Sequence, residues 1–134
     1  QKLTLDYNVS VANKVSGFEN EIYIDLEYMN EYKKFDLKER KNDYQFRFKT
    51  NYESNITLEI PKGYKVTKLP ENLSIQEEDF SVQIALLQTG NTIVYKKTFN
   101  FKNAAIKAND IAKWNAFNKN LNTLYNQQIR LVKQ

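Results

Sequence analysis

The side chains of this sequence that could do chemistry are its carboxylates and tyrosines, because its 134 residues include no cysteine and no histidine. The commonest nucleophile and base pairs, the zinc ligand sets and the usual proton carrier near neutral pH are therefore missing. We predict that the chain is not an enzyme and that it has no catalytic, cofactor-binding or metal-binding residues.

Two acidic groups are the nearest approach to a reactive site. The run Glu77-Glu78-Asp79 offers oxygen ligands for calcium or magnesium, but it lacks alternating ligand spacing and a nearby glycine, and we interpret it as a solvated turn. Asp25 and Glu27 share the polar face of a predicted strand and could act as general acid and base. Since no pocket is visible in the sequence, we expect them to form cross-strand pairs with Arg47 or Lys49 instead.

The nine tyrosines and eight phenylalanines suggest a second use, the stacking of exposed rings on sugars. Most of the phenylalanines fall on apolar strand faces and are predicted to lie in the core. Tyr23, Tyr32, Tyr52 and Tyr64 cannot be assigned to the interior, so they remain candidates for a binding platform. Trp114 lies on an apolar helix stripe, where we expect a packing anchor whose indole N–H finds a hydrogen-bond partner.

The net charge of +4 does not indicate a nucleic-acid partner, because 20 basic and 16 acidic residues are interleaved along the chain. A nucleic-acid site would cluster its basic residues on one face. The densest basic run, Lys38-Glu39-Arg40-Lys41, contains its own acid and is interpreted as a solvated loop. No stretch approaches the roughly 20 apolar residues of a membrane helix, which predicts no membrane insertion.

Apolar and polar residues alternate in six segments, which indicates strands with one buried and one solvated face. The first places Leu3, Leu5, Tyr7, Val9 and Val11 on one face and Lys2, Thr4, Asp6, Asn8 and Ser10 on the other. The remaining segments are 22–28, 44–48, 56–60, 82–86 and 93–101, the last broken only by Lys97. One solvated face per strand is typical of antiparallel sheets, so we predict an all-β fold, mainly an antiparallel β-sandwich.

Turn residues separate these segments. Pro61-Lys62-Gly63 ends one strand, and Gln88-Thr89-Gly90-Asn91 joins the last two as a hairpin. Residues 64–70 are predicted to form a short strand or an edge segment, and residues 73–75 could pair briefly.

Residues 30–43 are charged and show no sustained period, which predicts a long connection. Phe35 and Leu37 are expected to hold this connection against the core.

A helix is predicted at about residues 109–126, followed by a short strand at about 128–133. Apolar residues recur at three- and four-residue spacing, which gathers them on one stripe: Ile111, Trp114, Phe117, Leu121, Leu124 and Tyr125. Asn109 or Asp110 would cap the helix start. The polar stripe, predicted to face water, contains Lys113, Asn118, Asn120 and Asn122.

The order of several short motifs resembles the C-terminal β-sandwich domain of transglutaminase-like proteins found mainly in Bacteroidetes. These motifs are Arg40-Lys41, Leu58-Glu59-Ile60-Pro61-Lys62-Gly63-Tyr64-Lys65-Val66, Leu69-Pro70-Glu71-Asn72, Gly90-Asn91-Thr92-Ile93, Trp114-Asn115-Ala116-Phe117, Tyr125-Asn126 and Ile129-Arg130-Leu131. The resemblance covers most of the chain and is clearest from about residue 40 onward. That family's catalytic cysteine, histidine and aspartate belong to a central core outside this module, so no catalytic role carries over.

This resemblance implies an accessory domain of an exported protein, located in the periplasm or at the cell surface. We expect residues 1–134 to form a single β-sandwich domain that is a fragment of a longer multidomain protein, with the adjacent domains as its partners. Its expected role is to orient a catalytic core or to dock a protein. The alternative is a glycan- or peptide-binding module that uses exposed tyrosines or a sheet edge.

Overall fold

The computed structural model describes residues 3–6 and 8–134, and it confirms the mainly antiparallel β-fold with one helix near the C-terminal end. The strands are β1 (Val15–Phe18), β2 (Glu21–Ile24), β3 (Tyr44–Gln45), β4 (Tyr52–Glu59), β5 (Tyr64–Lys68), β6 (Leu73–Gln76), β7 (Phe80–Thr89), β8 (Thr92–Phe101), β9 (Ala105–Ile106) and β10 (Ile129–Lys133). A short 3₁₀ turn (Ala108–Asp110) leads directly into the helix α1 (Ile111–Tyr125). The helix and the last strand therefore begin and end within two residues of their predicted bounds.

The strands form two four-stranded sheets and one small pair. The first sheet has the order β1-β2-β10-β5, the second has the order β4-β8-β7-β6, and β3 pairs with β9. Every strand pair is antiparallel. The last strand of the chain thus lies inside the first sheet, where it joins two strands that are far apart in sequence.

The long hairpin of β7 and β8 supplies much of the hydrophobic core. Its alternation holds as predicted, since the inward rows of both strands are buried: Phe80, Val82, Ile84 and Leu86 on β7, and Ile93, Tyr95, Phe99 and Phe101 on β8. Gly90 adopts a φ of +60° in the turn between Thr89 and Thr92. A residue without a Cβ reaches this conformation at little steric cost, which explains why the hairpin turns there.

The helix α1 covers the core with the stripe predicted from its periodicity, and all six residues of that stripe are buried. Trp114 is fully buried, and its Nε1–H donates to the Phe35 carbonyl oxygen at 2.8 Å. Both expectations for this residue, a packing role and a partner for the indole, are confirmed.

The predicted cap of α1 is wrong. Asp110 has helical backbone angles, and its side chain makes no capping hydrogen bond. The reason is the 3₁₀ turn ahead of the helix, which moves the first free amides upstream. Asp43 satisfies one of them from another part of the chain, because its Oδ1 accepts a hydrogen bond from the Ala108 amide at 2.7 Å.

A row of asparagines on α1 binds the connection between β2 and β3, and this corrects the prediction that Asn118 faces water. Asn118 is 1% exposed, and its amide donates to the Tyr32 carbonyl oxygen at 2.7 Å. Asn115 accepts from the Leu37 amide and donates to the Lys38 carbonyl, and Asn122 accepts from the Lys34 amide. Residues 32–38 cover this side of the helix, so part of the polar stripe is buried against backbone groups.

These amide hydrogen bonds hold the connection in an unusual backbone conformation. Tyr32, Lys34 and Lys38 all have positive φ, between 52° and 58°. Such angles cost side chains with a Cβ roughly 1–2 kcal/mol each, so they persist where surrounding contacts enforce them. Phe35 and Leu37 are half-buried against the core as predicted.

The first predicted strand is not formed in the described residues. Leu3, Leu5, Val9 and Val11 are exposed, and no strand lies between residues 3–6 or 8–14; Lys2 and Tyr7 of that prediction lie outside the described residues. A strand needs a neighbour for its backbone hydrogen bonds, and among the described residues this segment pairs with none. The prediction of a strand with one buried face is therefore wrong for the described residues of this segment.

Two further predicted strands are shorter than expected. In segment 22–28 the pairing ends at Ile24, and in segment 44–48 only Tyr44 and Gln45 are paired, which leaves Phe48 69% exposed.

Within the described part of the chain, no helix is long and apolar enough to cross a membrane.

Candidate functional site

A lysine occupies the centre of the second sheet, at a position that the strand alternation assigns to the apolar core. Lys97 lies on β8 between the inward-facing Tyr95 and Phe99, opposite Ser54 of β4 and Ile84 of β7. Its side chain is 2% exposed. A charged side chain is seldom buried this deeply unless it is paired, because loss of hydration would otherwise disfavour its charge.

The partners of Lys97 come from the segment that follows β2. Its Nζ lies 2.6 Å from Glu27 Oε2 and 2.6 Å from Glu31 Oε2, and it donates to the Met29 carbonyl oxygen at 2.9 Å. We call Lys97, Glu27 and Glu31 the Lys97 cluster. The cluster fixes residues 27–31 against the middle of the second sheet, across a separation of about 70 positions in the chain.

Tyrosine rings surround the ammonium group of Lys97. The centroids of Tyr125, Tyr52 and Tyr95 lie 4.9, 5.9 and 6.0 Å from Nζ, within the range of cation–π attraction. The Tyr125 hydroxyl donates to the Glu31 carbonyl oxygen at 2.9 Å. The helix therefore contacts the same five-residue segment that Lys97 holds from the sheet.

Burial raises the pKa of two groups at this site, the Glu27 carboxyl and the Tyr125 phenol. Loss of hydration raises the pKa of Glu27, and it outweighs the opposing hydrogen bond and charge of Lys97, while Glu31 raises this pKa further. Desolvation also raises the pKa of the Tyr125 phenol, with contributions from Glu27 and Glu31. Two carboxylates share one ammonium group here, so Glu27 has an unusual tendency to keep a proton.

The arrangement is closed and favours a structural role. A carboxyl with a raised pKa beside a lysine could transfer protons, but the Lys97 and Glu27 side chains are only 2% and 8% exposed. A substrate could not reach them without displacing residues 27–31. The chemistry that this geometry supports is therefore the fixing of one segment by charge and hydrogen bonds.

Replacing Glu27 with glutamine should reduce the pH dependence of stability. The folded pKa of Glu27 lies above its ordinary value of 4.5, so above pH 4.5 the folded state binds more protons than the unfolded state. Its stabilising contribution is complete below that pH and is lost as the pH rises through the folded pKa. The variant cannot lose this proton. In urea titrations from pH 4.5 to 7.5, its midpoint should fall less than that of the wild type.

Glu59→Gln is the matched control for this prediction, since Glu59 lies on the exposed face of β4. Its urea midpoints should follow the wild-type pH profile. An identical slope in the wild type and Glu27→Gln would show that Glu27 does not titrate differently in the folded state.

The expected pairing of the two carboxylates after β2 is wrong. Asp25 forms an ion pair with Lys14 at 3.0 Å and accepts the Glu27 amide, whereas Glu27 turns inward to Lys97. Neither pairs with Arg47 or Lys49. The reason is that β2 ends at Ile24, so the two-residue alternation no longer determines the direction of the next side chains.

The four candidate tyrosines do not form one exposed surface. Tyr32, Tyr52 and Tyr64 are half-buried and pack against the core, and Tyr32 contacts the rings of Phe99 and Trp114. Tyr23 is on β2, where it is paired with Arg130 of β10 and donates to the Glu21 carboxylate.

Two of the three residues in the acidic run 77–79 form ion pairs with lysines. Glu77 lies 2.8 Å from Lys113 Nζ, and Asp79 lies 3.0 Å from Lys107 Nζ. Asp79 is 5% exposed, which corrects the expectation of a solvated turn at this residue. The hydrogen bond from Lys107 lowers the pKa of Asp79. Among the described residues, no group of three acidic side chains is arranged to hold a metal ion.

The basic run 38–41 remains a solvated loop, as predicted. All four residues are exposed, and Arg40 donates to the Asn42 and Asp43 carbonyl oxygens and lies 5.4 Å from the Tyr44 ring centroid.

Lys97 and Glu31 are the site residues that sequence patterns do not identify. One signal was available, because Lys97 is the single polar residue in the inward row of an otherwise apolar strand. Its partners could not be inferred, since Glu27 was assigned to the opposite environment and Glu31 lies in a segment without a period.

Comparisons with known proteins give a family and one partial structural likeness. The model of DUF3858, described as a domain of unknown function with a solved structure, matches residues 20–131. No curated protein matches the sequence. A crystal structure of a candidate protease from Parabacteroides distasonis ATCC 8503 is similar over 71% of this chain, with 16% sequence identity and a TM-score of 0.49. This chain corresponds to 19% of that protein's length.

Proposed function

This chain belongs to the DUF3858 family of domains of unknown function, and we propose that it is a non-catalytic accessory domain that packs against a neighbouring domain of a longer protein. The closed Lys97 cluster supports a structural role over a catalytic one. The absence of thiol and imidazole side chains from the sequence supports it as well.

The observation that carries this proposal is the concentration of exposed apolar side chains before β2. Six of the ten large exposed apolar residues in the described chain lie between residues 3 and 18: Leu3, Leu5, Val9, Val11, Val15 and Phe18. Contiguous exposed apolar surface is uncommon in monomeric proteins and often marks an interface. This segment also lies entirely outside the family match, which begins at residue 20.

The strand β1 adds an unprotected sheet edge to this segment. It is the outer strand of the first sheet, its four residues are all exposed, and it carries no charge and no proline. Outer strands usually carry charged residues or are covered, which prevents unwanted pairing. In this domain β4 and β5 carry charges, and β6 contacts α1. The edge of β1 is therefore suited to accept a strand or a loop from a neighbour.

The neighbour that we propose is the catalytic core of an exported transglutaminase-like protein, in the periplasm or at the cell surface. The ordered motifs from Arg40 to Leu131 support this part of the proposal through their resemblance to the C-terminal module of such proteins. The domain would act by packing, so that the core or a protein substrate keeps a fixed orientation.

Hydrogen exchange tests the proposed interface. Amides of residues 3–14, and those amides of β1 that do not bond to β2, should exchange quickly in the isolated 134-residue chain and more slowly in the longer protein, because a neighbour would then cover them. The measurement is exchange followed by mass spectrometry on both proteins. Equal exchange of this segment in the two proteins would contradict the proposal.

Substitutions at the edge give a second readout. The double variant Val15→Lys/Phe18→Lys should speed exchange of residues 3–18 in the longer protein, while it changes the stability of the isolated chain by less than about 0.5 kcal/mol. Leu87→Lys is the matched control, since Leu87 is similarly exposed, at 65%, but lies on β7. It should leave the exchange of residues 3–18 unchanged.

The free edge of β1 also favours a second candidate function, the binding of an extended peptide by strand addition. In that case residues 3–18 would exchange equally in the two proteins, and added peptide would protect the β1 amides in both. A glycan platform built on Tyr32, Tyr52 and Tyr64 is disfavoured, because these rings pack against the core.

A further inference from the structure

A small cavity lies beside the Lys97 cluster and is lined by residues of both large sheets and α1. Its volume is about 20 Å³, which is enough for one water molecule. The apolar part of its wall includes Ile24, Leu86, Leu124 and Ile129. The polar residues of the wall are Asp25, Glu27, Tyr95 and Gln127.

Two of these residues, Glu27 and Tyr95, have an atom whose hydrogen bonding is incomplete. Glu27 Oε1 and the Tyr95 hydroxyl are buried, and neither has a hydrogen-bond partner among the described residues. The residues themselves are 6% and 4% exposed. Burying such atoms without a partner is costly, and proteins commonly avoid this cost by enclosing a water molecule.

We propose that this cavity binds a single structural water molecule that bridges the Tyr95 hydroxyl and the Glu27 carboxyl group. A water molecule can accept the tyrosine proton and donate to Glu27 Oε1, so it satisfies both groups at once. Buried waters commonly make two to four hydrogen bonds, and the half-buried Gln127 in the same wall can supply a further polar group.

Both acidic residues of the wall already have a cationic partner, which favours a neutral water molecule over a cation of similar size. Asp25 is paired with Lys14 at 3.0 Å. Lys97 Nζ lies 2.6 Å from Glu27 Oε2, the other oxygen of the same carboxyl group. A second positive charge would be repelled by this ammonium group, whereas a neutral water molecule would not. The water would link Tyr95 of β8 to the segment after β2 and so extend the Lys97 cluster by one member.

A crystal structure of the wild-type chain, at a resolution that shows ordered solvent, tests this inference directly. We expect water density within hydrogen-bond distance of both Tyr95 Oη and Glu27 Oε1. A cavity without density, or a water that contacts neither atom, would overturn the inference.

Magnetic relaxation dispersion of the water ¹⁷O signal provides an independent count of long-lived waters. Tyr95→Phe should have one fewer than the wild type, because one of the two bridged groups is lost. Tyr125→Phe is the control: Tyr125 is also 4% exposed, but its hydroxyl bonds to the Glu31 carbonyl oxygen, and it does not line the cavity. This control should keep the wild-type count, and an unchanged count in Tyr95→Phe would contradict the proposal.

Discussion

Replacing Lys97 with methionine is expected to destabilise the domain by about 3–5 kcal/mol, because removal of one partner leaves uncompensated buried charges. Methionine has a similar length and is apolar, so the change creates little empty volume. The loss comes from Glu27 and Glu31, which would retain their burial without the ammonium group that now lies 2.6 Å from each. The free energy of unfolding, measured by urea titration followed by circular dichroism, checks this value.

Lys96→Met is the matched control, since Lys96 is the adjacent residue on the opposite, exposed face of β8. It should change stability by no more than about 0.5 kcal/mol. A triple variant that also carries Glu27→Gln and Glu31→Gln should recover part of the loss, because the carboxylates are then neutral. If Lys97→Met is as stable as Lys96→Met, the Lys97 cluster does not contribute to the fold as described.

Replacing Trp114 with alanine should cost a comparable amount, about 3–5 kcal/mol, because a large buried aromatic side chain leaves a cavity that relaxes only in part. Trp114 is fully buried. Its ring lies within 6.2 Å, centroid to centroid, of five aromatic rings from the helix, both long strands and the connection: Tyr32, Phe35, Phe80, Phe101 and Phe117. Urea titration followed by circular dichroism measures the loss, since the variant has no tryptophan fluorescence.

Two further variants separate the causes of that loss of stability. Trp114→Phe keeps an aromatic ring but removes the N–H that donates to the Phe35 carbonyl oxygen, so its cost should be intermediate. Lys119→Ala, on the exposed side of α1, should fall within about 0.5 kcal/mol of the wild type. A loss in Trp114→Ala as small as in Lys119→Ala would mean that the aromatic cluster does not anchor the helix.

The parts of the fold that sequence patterns predicted correctly are those in which local periodicity coincides with packing. The inward rows of β7 and β8 and the apolar stripe of α1 fall where alternation and three- and four-residue spacing place them. Gly90 also predicts the position of the turn from local sequence, because glycine readily adopts the positive φ that the turn requires. Such features depend on neighbours within a few residues, which a single sequence displays.

The failures have a common physical cause, which is a partner distant in the sequence. Asn118 has the polarity of a surface residue, but it is buried because its amide donates a hydrogen bond to the Tyr32 carbonyl oxygen, 86 positions away in the sequence. Segment 3–11 alternates like a strand, yet alternation does not supply the neighbour that a strand requires. Glu27 was assigned to solvent because the alternation was continued past the true end of β2. That end, at Ile24, is set by pairing with β1 and β10, which the local sequence does not show.

The candidate site was predictable only in part. The break in the inward row of β8 marks Lys97 as unusual, but Glu27 and Glu31 lie on a segment whose course is set by α1 and the sheet together. No local pattern encodes that course. The expected pairing of Asp25 and Glu27 with Arg47 or Lys49 was therefore wrong, although both carboxylates do form ion pairs.

The position of β10 has a consequence for biosynthesis. Strands β2 and β5 both hydrogen-bond to β10 and not to each other, so the first sheet cannot be completed until residues 129–133 have left the ribosome. Pairings between segments so far apart also form slowly. During synthesis the β1–β2 and β7–β8 hairpins can therefore close early, whereas β5 gains its place in the first sheet only when β10 arrives.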